Sequence, residues 1–527
     1  MTSPFLCLIV LLAAVGLVAA VADRLRAPPP LLFILAGLAV SLIPWIPPIH
    51  LDPELILLGF LPPLLYADAF ETSWRDFKRW LRPILMLAIG LVAATILTVG
   101  LTAKHFFPDL PWAVCFVLGA IVSPTDTVAS LSVIERLNVL RRIRAILGGE
   151  SLVNDATALV GVQIGVAVVL TGFFDSGAVM LQFTRVAGLG VLIGAGCGAA
   201  FALVNRWVRN TSALFTLSLL APYVAFQTAD HFECSGVLAT VIAGFVVAWR
   251  FHLVEARSRV VLFQGWRLLS FVLNALCFVF IGLEVPHHAP SWSAQTRDLL
   301  LGSLAVAGTV ILTRLAWVFP AAYVTLWLSP RLREREGGYA SWRGVVLVGW
   351  CGMRGAISLA AALALPETTH DGAPFPGRDV VLFAAMVVIG ATLLVQGLTL
   401  APLVRLLRVP GDTQTEAEAR RAWIAVLRAG IARLDLFCSE RECPVAVHHL
   451  RQAMTDRLVS LEADDAAERD LAHKRLSVSR EVRLAVHAAQ AEELHRLRDA
   501  EAIDDRIALE LQLALDSEIQ SEIDREI

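Results

Sequence analysis

Long apolar runs, separated by short polar connections that often carry arginine, make up most of the first four hundred residues. A helix that crosses a bilayer needs about 20 mostly apolar residues. Windows of that kind fall near 5–22, 30–46, 53–70, 83–103, 112–134, 146–171, 184–205, 212–229, 233–250, 262–284, 297–328, 344–366 and 379–404. The pattern predicts about thirteen helices, give or take neighbours short enough to fuse. The alternation of a β-barrel is absent, and lipid leaves only helices or closed barrels as spanning structures. The expected fold is therefore an all-α membrane bundle. Met1 to Phe5 carries no Lys or Arg, so the first run lacks the basic start of a secretory signal and reads as a helix of the bundle. After residue 411 the pattern changes. Ala419 to Leu436 and Ala466 to Leu513 are rich in Ala, Glu, Arg and Leu and have helical period. The chain divides into a membrane part, 1–411, and a helical tail, 412–527, whose charged i,i+4 neighbours read as a solvated face.

Composition narrows the class. The 527 residues are 57% hydrophobic and 17% charged, against about 25% charged in soluble domains. That excludes a soluble enzyme and a disordered chain. A net charge of −3 offers no basic excess for nucleic acid. The eight scattered cysteines suggest no disulfide framework. Cys438, Cys443, His448 and His449 in the tail match no common zinc spacing. The basic residues orient the bundle. One set of connections holds Arg24 and Arg26, then Arg75, Lys78, Arg79 and Arg82, then Arg136, Arg141, Arg142 and Arg144. It continues with Arg206, Arg209, Arg250, Arg257 and Arg259, and ends with Arg331, Arg333, Arg335 and Arg343. The alternate set holds little beyond Lys104, Arg185, Arg297 and Arg378. A bias of roughly five to one keeps the first set inside. The N-terminus is expected outside a cell membrane and the tail in the cytoplasm.

Charges within a span are costly and tend to mark an ion path. The fifth span carries Ser123-Pro124-Thr125-Asp126-Thr127, the sixth Gly149-Glu150-Ser151-Leu152-Val153-Asn154-Asp155, and the twelfth Gly349-Trp350-Cys351-Gly352-Met353-Arg354-Gly355. Asp68 closes the third span, Glu284 closes the tenth, and Arg314 lies inside the eleventh, where a packing or snorkelling role reads best. Ser151 and Asp155 are i,i+4 and share a face; Glu150 and Asn154 share the neighbouring face, about 100° away. Hard monovalent cations such as Na⁺ take oxygen ligands. Asp155, Asp126, the Ser151 hydroxyl and carbonyls freed near Thr125 would supply them. Pro124 removes a backbone donor and disrupts its turn, and Gly349, Gly352 and Gly355 are expected to break the twelfth span likewise. The two interrupted spans lie seven helices apart, the odd offset that an inverted repeat requires, and such pairs point to a transporter site. Asp126 would sit near positive helix ends and Arg354 near negative ones.

Structural readings compete at several positions. A lone membrane Asp can be a satisfied structural carboxylate, but Asp155 has Asp126, Ser151 and a proline break for company. Glu150 and Arg354 read best as a structural pair, since breaking a buried pair strands a charge. Asp68 reads equally as the wall of an entry funnel or as an interfacial residue, and Glu284 as interfacial. Asn274 and Gly282 read as helix-packing residues. An intramembrane aspartyl protease would want a Gly-x-Gly-Asp motif, which neither Asp126 nor Asp155 has. A channel would need selectivity rings, and a sensor would use the tail as its output.

Taken together, Phe60-Leu61-Pro62-Pro63-Leu64-Leu65, Ser123-Pro124-Thr125-Asp126, Gly149-Glu150-Ser151 with Asn154-Asp155, and Gly352-Met353-Arg354-Gly355 resemble the monovalent cation:proton antiporter-1 family, which includes NhaP-type and animal Na⁺/H⁺ exchangers. The resemblance covers about residues 1–410. It implies a homodimer in which a core domain moves against a dimerisation domain. It further implies that Asp155 carries ion and proton, with Asp126, Ser151 and the Thr125 carbonyl around it, and that a Glu150–Arg354 pair steadies the broken helices. The chain departs from the family pattern twice. The acid after Pro62-Pro63-Leu64-Leu65-Tyr66 is Asp68, with Ala67 in the usual place, and Thr127 stands where Pro usually follows Asp.

A proton and a cation would thus compete for one buried carboxylate. The motif reads Asn154-Asp155 rather than two adjacent acids, and no Lys lies in the core spans. One cation exchanged for one proton is electroneutral. Na⁺/H⁺ exchange is the leading expectation, with K⁺ or mixed Na⁺/K⁺/Li⁺ exchange the alternative. No cofactor is implied, since Na⁺ and H⁺ are cargo; membrane lipid is the surrounding partner, and the tail carries no motif that assigns it one.

Overall fold

A computed structural model describes residues 4–25, 28–43, 55–134, 140–172, 176–288, 294–336, 338–369, 372–409, 413–440, 444–462, 484–494, 496–497, 511–512 and 515. Contacts divide the chain into two units, Met1–Gly411 and Asp412–Ile527.

The first unit is a succession of helices. It opens with α1 (Pro4–Leu25) and α2 (Pro29–Ser41), then a π-helical turn, Leu55–Phe60, that runs into α3 (Leu61–Glu71). Next come α4 (Trp74–Arg79), α5 (Leu81–Leu85) and α6 (Val92–Phe106), the last two joined through a π-helical turn into one helix, Leu81–Phe106. The broken pair α7 (Trp112–Ile121) and α8 (Thr127–Ile134) precedes α9 (Arg141–Thr171), α10 (Ser176–Trp207), α11 (Thr211–His231) and α12 (Gly236–Trp249). Then follow α13 (Ala256–His288), α14 (Ala294–Leu328), α15 (Pro330–Arg335) and a second broken pair, α16 (Trp342–Trp350) and α17 (Ala356–Leu363). The unit closes with α18 (Arg378–Thr392) and α19 (Leu398–Leu407), continuous through a π-helical turn as Arg378–Leu407.

Every expected span overlaps one of these helical segments, and no strand occurs among the described residues. Among the described residues, seven helices are by length and composition apolar enough to cross a membrane; Ile9–Ala22, Pro29–Ser41, Trp112–Ile121 and Gly236–Trp249 are shorter apolar helices. Large aliphatic side chains stand exposed on the outside, among them Leu17, Leu97, Leu192, Leu268 and Leu312. Water would not tolerate such a surface, whereas lipid does.

With lipid as solvent, close packing and polar contacts must hold helices together. α2 and α13 meet backbone to backbone: a Cβ at Gly282 would collide with the Ile34 carbonyl, which bears out the packing role expected of this glycine. Between α6 and α14, the Thr98 and Thr313 hydroxyls are 2.9 Å apart and those of Thr102 and Thr309 3.1 Å, a ladder two rungs long. Glu284, near the end of α13, is covered by its neighbours and only 5% exposed.

In the second unit, α20 (Thr413–Glu440) packs on α21 (Val445–Glu462). Arg451 meets Asp435 at 2.6 Å, and the Arg457 guanidinium lies 4.4 Å from the Trp423 ring centre. Cys443 and most of 463–527 lie outside the described residues.

Candidate ion-binding site

Two helix interruptions cross in the interior. Residues 122–126 separate α7 from α8, and residues 351–355 separate α16 from α17. Pro124 lies in the first gap, where its missing N–H and its ring prevent continuation of the helix. The Asp126 N–H donates to the Met353 carbonyl at 2.8 Å, so the freed backbone groups of one gap serve the other. A Cβ at Gly355 would collide with the Asp126 carboxylate, and one at Gly352 with the Arg314 side chain. Both glycines are therefore demanded by close approach. Gly349, expected to help break the twelfth span, lies within α16: one glycine in a helix costs only about 1 kcal/mol and does not end it.

Asp126 accepts from the Ala129 N–H at 3.4 Å and so caps α8. That places its charge at a positive helix end, as expected. α9 presents its polar face to the first gap. Thr125 Oγ1 donates to Glu150 Oε1 at 3.1 Å and accepts from Asn154 Nδ2 at 2.8 Å. Ser151 Oγ donates to the Thr125 carbonyl at 3.3 Å. Glu150 and Asn154, one turn apart, thus grip the threonine hydroxyl from one face, while Ser151 holds its carbonyl from the next.

Asp155, one turn beyond Ser151, is 3% exposed, and its carboxylate takes no hydrogen bond from the described residues. It opens onto a cavity shared with Asp68, Asp126, Ser151, Thr125 and Pro124. The rest of the polar lining is Asn274 from α13 and Ser358 from α17; Leu61, Leu64 and Leu65 close one side. Asp68 therefore faces the site, whereas Ala67 packs with Tyr66, Phe70 and Trp266 in a separate apolar cluster. Asn274, expected to serve helix packing, also lines the cavity. Among the described residues, no three acidic, His or Cys side chains are drawn close enough to hold a metal ion on their own. What the cavity offers is a mixed set of carboxylate, hydroxyl and carbonyl oxygens. That suits a hard, singly charged cation held loosely and excludes a soft metal, since no sulfur or imidazole lines it.

The two arginines divide the work otherwise than expected. Arg314, fully buried, engages both Glu150 oxygens, Nη2 to Oε2 at 2.9 Å and Nη1 to Oε1. It also donates to the Val348 carbonyl through Nε at 3.2 Å and Nη2 at 3.1 Å. Val348 lies in the last turn of α16, so the cation that offsets this negative helix end is Arg314. The expected Glu150–Arg354 pair is thereby corrected. The Arg354 N–H donates to Thr392 Oγ1 at 3.2 Å, but its buried guanidinium bonds none of the described residues. Sequence held a signal for Arg314: no acid stands within four residues on either side, so a partner had to come from another helix. Nothing in the sequence says which helix.

A family profile described as sodium/hydrogen exchanger, transmembrane, matches residues 9–406. A Mycobacterium tuberculosis protein named an uncharacterized Na⁺/H⁺ exchanger is 37% identical over 523 residues, covering 97% of this chain and 95% of its own length. A sodium, potassium, lithium and rubidium/H⁺ antiporter of Bacillus pumilus is 29% identical, covering 92% and 73%. Among solved structures, the sodium proton antiporter MjNhaP1 of Methanocaldococcus jannaschii superposes with a TM-score of 0.59 at 19% identity, over 76% of this chain and 97% of that one.

Proposed function

Since this chain belongs to the transmembrane sodium/hydrogen exchanger family, we propose that it is an electroneutral Na⁺/H⁺ antiporter that exchanges one cation for one proton at Asp155. The observation that carries this reading is the cavity at the crossing of the two gaps. It gathers Asp155, Asp126, Asp68 and the Ser151 hydroxyl, and among the described residues none donates a hydrogen bond to the Asp155 carboxylate.

A buried carboxylate is costly to keep charged, so it is neutralised by whichever monovalent cation reaches it, H⁺ or Na⁺. The two compete for one site, and the neutralised site is the one that crosses the membrane cheaply. Asp126, fixed as the cap of α8, adds a second oxygen and a steady negative field. Thr125 can offer the free side of its carbonyl oxygen. Glu150 takes no part in the exchange, since Arg314 and Thr125 occupy it. Its work is mechanical: Glu150 and Arg314 tie α9, α14 and the end of α16 together. The unit carrying the site would then move as a rigid body against its surroundings, exposing the cavity to each side in turn. The protein would act in the cell membrane as a homodimer, with its N-terminus outside and its tail in the cytoplasm.

The name of the Bacillus pumilus relative favours a second reading, exchange of K⁺ or several alkali cations for protons. Small differences in oxygen spacing decide that choice. Purified protein in proteoliposomes, with proton flux followed under equal Na⁺, K⁺ and Li⁺ gradients, tests both readings. Flux with Na⁺ that exceeds flux with K⁺ supports the first. Equal flux supports the second, and none with any of the three rejects both.

A further inference from the structure

A second cavity lies away from the ion site, between the Leu81–Phe106 helix, the start of α9, α14 and α16. Its walls are apolar, with Leu87, Ile146, Val318 and Val345 among them, and Arg82 and Arg142 also line it. Its volume is about 140 Å³, below the ~300–1,000 Å³ of a pocket that takes a whole ligand, and suited to part of a hydrocarbon chain.

The surroundings of the two arginines identify what it would take. Arg82 grips Glu336 with Nε and Nη2 at 2.6 and 2.9 Å, and Arg142 reaches the same carboxylate at 3.4 Å. The Arg142 guanidinium lies 4.2 Å from the Trp80 ring centre. Around them, Lys78 lies over Trp74, Arg79 over Trp80, Arg333 over Tyr339 and Arg343 over Trp342. None of these four cations has a carboxylate partner among the described residues. Trp74, Tyr339 and Trp342 are exposed. Aromatic rings backed by cations at one end of a bundle of apolar helices mark a membrane–water interface, and surplus arginine there attracts anionic headgroups. A free phosphate has no use for the apolar walls, and a neutral lipid has none for the arginines.

We propose that this cavity receives part of an acyl chain of an anionic phospholipid from the membrane leaflet at the arginine-rich end, with the phosphate held beside Arg142. The cavity wall runs along α16 as far as Val348, the residue whose carbonyl Arg314 holds. A bound chain therefore braces the half-helix that leads into the second gap. Anionic lipid would stabilise the protein by this route, independently of which cation is transported.

The test measures the thermal midpoint of the detergent-solubilised protein with added phosphatidylglycerol, with phosphatidylcholine of the same chains, or with glycerol phosphate. Two variants fill the cavity. A Cβ at Gly344 makes only ordinary contact with Ile143, at 3.5 Å, so Gly344→Leu adds bulk at the cavity wall without a backbone clash, and Ala322→Leu adds it on the wall formed by α14. Phosphatidylglycerol should raise the wild-type midpoint by about 4 °C. Phosphatidylcholine and glycerol phosphate should leave it within about 1 °C, and both variants should lose the phosphatidylglycerol effect while keeping exchange in phosphatidylcholine vesicles. An equal rise in the filled variants, with phosphatidylcholine, or with glycerol phosphate alone overturns the proposal.

Discussion

Arg314 holds Glu150 through both guanidinium arms, and the same guanidinium caps the Val348 carbonyl at 3.2 and 3.1 Å. One side chain thereby joins α9, which carries Asp155, to the half-helix that enters the second gap. Removing it strands a buried carboxylate and an unpaired helix end together. Arg314→Ala should therefore cost about 3–5 kcal/mol of stability, read as a sharp loss of folded yield and thermal midpoint. Arg314→Lys keeps the charge but loses the fork, and should fall in between. Arg354→Ala, whose guanidinium bonds none of the described residues, should cost less than Arg314→Ala. The reverse order would restore the Glu150–Arg354 pairing.

Asp155→Asn should abolish exchange. The amide is close in size to the carboxylate, so the cavity and the crossing should persist, but it cannot take up and release a proton. The check is cation uptake driven by a pH gradient in proteoliposomes, alongside an unchanged thermal midpoint. Residual uptake above empty vesicles would move the carrier to Asp126 or Asp68.

Much of this site is legible in the sequence. The i,i+4 spacing put Ser151 and Asp155 on one face and Glu150 and Asn154 on the next, because a helix's period is fixed by its backbone. The Pro124 break and Gly355 were readable for the same local reason. What failed was partner choice across helices. Glu150 meets Arg314, 164 residues away, rather than Arg354. Asn274 belongs to the cavity because of how α13 is rotated, and that rotation is set by its close contact with α2, where Gly37 meets the Val279 carbonyl and Gly282 the Ile34 carbonyl. Asp68 was undecided for the same reason: adjacent residues on a helix differ by 100°, and only packing tells which one faces inward.

Asp68 is thus open to a direct test. It lines the cavity while Ala67 faces the Tyr66–Trp266 cluster. Asp68→Asn should raise the half-saturating cation concentration about tenfold, equivalent to ~1.4 kcal/mol of lost attraction, with folding intact. Moving the acid back one place, in the double change Ala67→Asp with Asp68→Ala, should not rescue it and should destabilise the protein, because the new charge enters an apolar cluster. An unchanged half-saturation in Asp68→Asn would return this residue to a purely interfacial role.

Gly355→Ala tests whether the crossing itself is needed. The added methyl has no room beside the Asp126 carboxylate, so either Asp126 leaves its cap on α8 or the two gaps move apart. Exchange should fall by more than about tenfold, a loss of at least ~1.4 kcal/mol. Gly349→Ala, inside α16, meets the Leu315 side chain at 3.0 Å and should be far milder. Similar activities for the two variants would show that the gaps do not have to touch.

Stoichiometry gives the last test. Glu150 is neutralised by Arg314, and a single exchangeable carboxylate at Asp155 carries either one Na⁺ or one H⁺. No net charge then moves in a cycle. Initial rates in proteoliposomes should be the same at zero potential and at −100 mV set by a permeant anion gradient. If two protons moved per cation, each cycle would gain or lose ~2.3 kcal/mol per 100 mV, a bias of about fifty-fold in the final gradient. Such a bias would require Asp126 or Asp68 to take up a proton as well, and would end the reading in which Asp126 serves only as a fixed cap and ligand.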